Sequence, residues 1–122
     1  MSTLDFEFQY LDGLERILAT LEEICSPYYE FDRYPDIEDK AAAILYFLIL
    51  DHYLLDGNKR FAMFTTEIFL NKNGCGFSIN QDEYVKLAVD IATPENRPTL
   101  KELQLKMREY IIPLDPFSTT LM

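Results

Sequence analysis

The sequence predicts an all-α fold, a compact single-domain bundle of five to six helices, on three observations. Apolar residues recur in the three-four rhythm of an amphipathic helix at Leu11, Leu14, Leu18, Leu21 and Cys25. The ten-residue run Ala41–Leu50 is apolar on every side, which marks a central buried helix. Helix-opening signals then repeat at Asp36 after Pro35, at Asn80 with Glu83, and at Thr99 with Glu102. A chain of 122 residues suits one core, so residues 1–122 are expected to form one domain.

The elements follow in order. A first helix carries the leucine rhythm and stops at Ser26 and Pro27, with Gly13 blurring its start. Residues 26–35 form an aromatic connection containing Tyr28, Tyr29, Phe31 and Tyr34. Asp36 is placed to cap a second helix, expected to run to about His52. Asp56-Gly57-Asn58 breaks the pattern, and a third helix is expected from about Lys59 to Asn71, with Asn58 as its N-cap. Asn73 and Gly74 suit a left-handed stop. A fourth helix is expected at about 81–92, a loop from Pro94 to Pro98, and a fifth helix opened by Thr99 and ended by Pro113. The tail, residues 114–122, is expected to be loosely held.

Composition narrows the functions. Twenty-one acidic residues against 11 basic ones give a formal net charge of −10, which repels phosphate backbones and argues against nucleic acid as a partner. A phosphate-bearing ligand would need a local positive pocket, and Lys59 with Arg60 is the best candidate. The run Ala41–Leu50 is too short to span a bilayer, so no membrane is expected. With no secretory pattern visible, the expected location is the cytoplasm, and Cys25 and Cys75 are expected to be reduced, the latter in a turn.

The stretch His52–Arg60 concentrates the chemistry. It holds the only histidine, four residues before Asp56, and a Gly57-Asn58 turn that opens onto two adjacent cations. First-turn N–H groups of a helix are unpaired and partly positive, so this is a natural anion site. Lys59 and Arg60 stand where the helix dipole disfavours cations by a few tenths of a kcal/mol, which an anion would offset. Gly57 allows positive φ and close approach of a ligand to the backbone. Asp56 is placed to hold Mg²⁺ beside phosphate oxygens. His52 could take a proton from an attacking hydroxyl. Each part alone has a plainer reading: a histidine cap at a helix end, an ordinary turn, a solvated cation pair. Their conjunction points to phosphoryl or nucleotidyl transfer.

The stretch also resembles the signature of the Fic/Doc family, H-x-F-x-[DE]-[AG]-N-[GK]-R, with His52, Leu54, Asp56, Gly57, Asn58, Lys59 and Arg60 in its places. The resemblance extends from about Pro35 to Gly74. It departs at Leu54, where the family has phenylalanine, and at Tyr53, which replaces a frequent proline. The resemblance implies ATP and Mg²⁺ as cofactors and a protein hydroxyl as target. In it, His52 is the general base, Asp56 the metal ligand, Gly57 and Asn58 phosphate binders, and Arg60 the partner of the terminal phosphates. Lysine at position 59 resembles the Doc type, the death-on-curing toxins, rather than the AMP-transferring type with glycine there. That implies γ-phosphoryl transfer to Ser or Thr and control by a separate antitoxin. It also implies that 26–35 is a flap holding the target as an added strand, against the plainer reading that its tyrosines pack on the bundle. The family's inhibitory pattern is absent, since Ile91 lies four residues before Glu95-Asn96. AMP transfer and a catalytically silent binding module are the competing expectations.

Overall fold

A computed structural model describes residues 7–26 and 32–114. Among these residues there are five α-helices: α1 Gly13–Cys25, α2 Ile37–Leu50, α3 Asn58–Lys72, α4 Gln81–Ala92 and α5 Leu100–Arg108. Two short strands, β1 Cys75–Phe77 and β2 Ile111–Pro113, pair antiparallel with Cys75 opposite Pro113 and Phe77 opposite Ile111. The helical class holds, with this small ladder added. Residues 27–31 of the segment expected to be a flap lie outside the described residues, and so does the tail beyond Leu114.

Helix α2 is the axis, as its all-round apolarity requires. Residues Lys40–Leu45, Leu48 and Ile49 are buried, and α1, α3, α4 and α5 all pack on it. Its one buried cation, Lys40, is neutralised by both carboxylate oxygens of Asp32 at 2.9 and 2.8 Å and also donates to Tyr34 O. A buried ammonium without such partners would be strongly destabilising. Asp36 is the N-cap residue of α2, but its carboxylate does not cap; it accepts from Arg108 of α5 at 2.9 Å. Arg108 also reaches Asp39 at 2.8 Å, which ties the end of α5 to the start of α2.

The expected caps of the later helices are formed. Asn80 accepts from Glu83 N–H, and Thr99 with Glu102 makes a full capping box. Gly74, at φ 75, supplies the left-handed stop after α3. The Pro94–Pro98 loop contains one 3-10 turn, Pro94–Asn96. Helix α5 ends at Arg108 rather than at Pro113. The chain turns at Glu109 and Tyr110, and Pro113 closes β2, where a missing N–H costs nothing on a ladder edge. Cys75 therefore lies in a strand rather than a turn; it and Cys25 are free thiols.

The face of α1 is the main correction. Leu11, Leu14 and Leu18 are exposed, at 110%, 53% and 54%. The helix docks instead through Gly13, Ile17 and Ile24, with Leu21 and Cys25 partly buried beside them. Gly13 selects this face: a Cβ there would come within 2.6 Å of the Phe8 ring, so only glycine lets the preceding segment fold back so closely.

Candidate active site

The α2–α3 loop and the first turn of α3 carry the polar residues of the signature, and three devices shape the loop. The first is at its entrance. Helix α2 ends at Leu50 with Asp51 as C-cap, two residues before its expected end, and His52 follows at φ 50. His52 is the one non-glycine residue with positive φ among those described. Left-handed backbone costs an L-residue roughly 1–2 kcal/mol, and such outliers concentrate at functional sites.

The second device is a staple across the middle. Phe8 and Leu54 form an isolated antiparallel bridge, with Gln9 N–H donating to Tyr53 O at 2.7 Å and Leu55 N–H to Glu7 O at 2.9 Å. Leu54, where the signature has phenylalanine, is only 2% exposed and joins the core, so its side chain anchors the loop. The alternation of a strand then turns its neighbour Leu55 out to solvent.

The third device is at the exit. Gly57, at φ 83, is the N-cap residue of α3, in the position expected for Asn58. Asn58 is the first helical residue, and its amide is used on the loop: Nδ2 donates to Leu54 O at 2.9 Å and Oδ1 accepts from Leu54 N–H at 3.0 Å. No side chain caps α3. The N–H groups of Asn58, Lys59 and Arg60 therefore begin the helix without intrahelical partners.

Charge makes this terminus unlike the others. Helices α1, α2, α4 and α5 each carry an acid in the first turn, as the dipole favours. Helix α3 has none and presents Lys59 and Arg60 instead. Both cations are exposed, and neither forms an ion pair with a described residue despite the acidic chain. His52 and Asp56 are exposed as well. Among the described residues no group of three or more His, Cys, Asp or Glu side chains could hold a metal ion. Asp56 alone fits a Mg²⁺ that keeps waters and takes its remaining ligands from phosphate oxygens.

Lys59 and Arg60 also line a groove of about 850 Å³ between α3 and α4. Along α3 its lining continues through Phe61, Met63 and Phe64 to Glu67, facing Gln81, Val85 and Val89 of α4. Burial pushes the Glu67 carboxyl above the usual range. Sequence reading missed Glu67, although its signal was present: a lone acid inside an apolar helix, two turns after Arg60 on the same face.

Fold and loop together define the class: a helical protein whose polar loop runs from a histidine into a cationic, uncapped helix N-terminus able to hold an anion. The chain belongs to the Fic/DOC family, whose model matches residues 5–70, more than half of it. Over 54 residues it is 44% identical to Toxin Doc of Mycolicibacterium smegmatis (strain ATCC 700084 / mc(2)155). That match covers 44% of this chain and 42% of that protein, less than half of the toxin's length. Among the described residues, no helix is long and apolar enough to cross a membrane.

Proposed function

We propose that the chain is a Doc-like toxin that transfers the γ-phosphoryl group of ATP to a Ser or Thr hydroxyl of a target protein. The observation that carries this reading is the start of α3. It is the one α-helix described whose first turn holds two cations and no acid, and it begins on a left-handed glycine without a side-chain cap. Such an end costs stability when empty and is repaid by a bound phosphate.

The roles follow from position. Backbone N–H groups of Asn58, Lys59 and Arg60 bind phosphate oxygens, and the Arg60 guanidinium pairs with the terminal phosphates. Asn58 contributes its N–H and the loop shape, since its amide is spent on Leu54. The α3–α4 groove, starting at Lys59 and Arg60, receives the nucleoside; its volume falls in the ~300–1,000 Å³ range of small-molecule pockets. Asp56 would hold Mg²⁺, which when bound offsets phosphate charge. His52 takes the proton of the target hydroxyl as the new O–P bond forms and the bond to the β–γ bridging oxygen breaks, releasing ADP. By likeness to a protein named Toxin Doc, an antitoxin is the proposed controlling partner.

The test is labelling. The full chain is incubated with cell lysate and ATP labelled at the α- or the γ-phosphate, beside His52→Ala. Acid-stable γ-label on Ser or Thr of a lysate protein, lost in His52→Ala, is the expected result. Label from the α position alone would mean AMP transfer instead. A His52→Ala chain as toxic to cells as the parent would sink both reactions and leave a binding module.

A further inference from the structure

Three side chains outside the signature's chemistry meet at the entrance of the loop. Asp51 caps the end of α2 and Tyr53 follows His52, so the two flank the left-handed residue. They are tied to each other across it, because the Tyr53 hydroxyl donates to Asp51 Oδ2 at 3.0 Å. The same phenol oxygen meets Thr20 Oγ1 of α1 in a short hydrogen bond. A phenol has one proton, so with Tyr53 donating to Asp51 the threonine must be the donor to Tyr53. The bonds run in one direction, from Thr20 through Tyr53 to Asp51.

Two features show that this arrangement is held against local preference. A carboxylate at a helix C-terminus lies at the negative end of the dipole, so Asp51 is poorly placed for helix stability alone. His52, with its Cβ, sits in left-handed backbone at a cost, even though histidine tolerates it better than most residues. Thr20 shares the docked face of α1 with Gly13, Ile17 and Ile24, so the anchor at the far end is rigid. Burial, with a smaller part from Asp51, pushes the Tyr53 hydroxyl above its ordinary pKa and keeps its proton in place.

We propose that Thr20, Tyr53 and Asp51 form a positioning bracket that holds His52 in its left-handed conformation and so fixes the direction in which its imidazole leaves the chain. The catalytic consequence rests on the phosphoryl-transfer reading; the conformational one does not.

The chain has one histidine, so a ¹H–¹³C spectrum of the imidazole contains one Cδ2–H and one Cε1–H signal and reports on this position alone. Tyr53→Phe and Thr20→Val each break the bracket while keeping the apolar contacts, and Thr20→Ser restores the donor. In the parent and Thr20→Ser, one sharp signal for each of the two imidazole C–H groups and a left-handed His52 Cα shift are expected. In Tyr53→Phe and Thr20→Val each of these signals broadens or doubles and the Cα shift moves. Unchanged His52 resonances in both variants overturn the proposal. Should Tyr53→Phe lose cooperative unfolding, Thr20→Val decides by the same spectra. In the transfer assay the two disruptive variants lower kcat about tenfold with KM for ATP within about twofold, and Thr20→Ser recovers kcat. A parent chain that transfers no phosphate removes the reading of function, while the spectra still decide the bracket.

Discussion

Asn58 closes on the backbone of Leu54 from both sides, donating from Nδ2 to its carbonyl at 2.9 Å and accepting from its N–H at 3.0 Å. A residue of α3 thereby fixes the loop that precedes it, and the spacing of four residues lets one planar amide do both. Asn58→Ala leaves the Leu54 N–H and C=O without these partners at an otherwise buried residue. The expected loss is about 1–3 kcal/mol in urea unfolding. Asn58→Asp keeps the acceptor but points a negative oxygen at the Leu54 carbonyl and adds charge beside the phosphate cradle. It should therefore harm transfer more than stability, measured by comparing kcat/KM with unfolding midpoints.

The candidate site between α2 and α3 was legible because its polar residues interrupt two apolar helices, and Gly57, Lys59 and Arg60 stand out by residue type alone. The bracket around His52 was not, since Thr20 and Tyr53 lie 33 residues apart and neither is unusual locally. The docked face of α1 was misread for a physical reason. The leucine rhythm and the Ile17, Ile24 pair both fit a helix period, and only the Gly13–Phe8 approach chooses between them. The ladder escaped because strands of three residues are too short to show alternation.

The Lys40–Asp32 pair sets an acid-side limit on stability. The hydrogen bond from Lys40, chiefly, holds the Asp32 carboxyl below its usual 3.8. A depressed folded pKa means that the stabilisation is complete above the unfolded value and is lost as pH falls through the folded one. Asp32→Asn should therefore be less stable than the parent at pH 7, with the gap closing below about pH 4. Thermal unfolding of both chains from pH 7 to pH 2 checks this; a gap constant with pH would contradict it.

Glu67 carries the opposite sign. Burial in the α3–α4 groove raises its carboxyl above the usual 4.5, so the ionised form opposes folding at neutral pH. Protonation relieves this as pH falls through the folded pKa and then the unfolded one. Glu67→Gln should raise the melting temperature at pH 7, with the advantage gone below about pH 4. A glutamine chain that melts lower at pH 7 would show that the carboxylate has a stabilising partner.

Lys59 separates the needs of folding from those of the site. Neither Lys59 nor Arg60 forms an ion pair with a described residue, and both stand at the positive end of α3. Lys59→Met keeps helix propensity and removes one charge. It relieves the dipole by a few tenths of a kcal/mol while making the acidic chain more negative, so these effects oppose each other. The expected change in unfolding free energy is within about 0.5 kcal/mol of zero. On the proposed reading nucleotide binding has no such cancellation, because the lost cation would face the phosphates. Calorimetric titration with ATP and Mg²⁺ should show affinity at least about tenfold weaker, the scale of one charge-assisted contact. Equal affinity in the two chains would place the phosphates away from Lys59 and leave the backbone N–H groups and Arg60 to hold them.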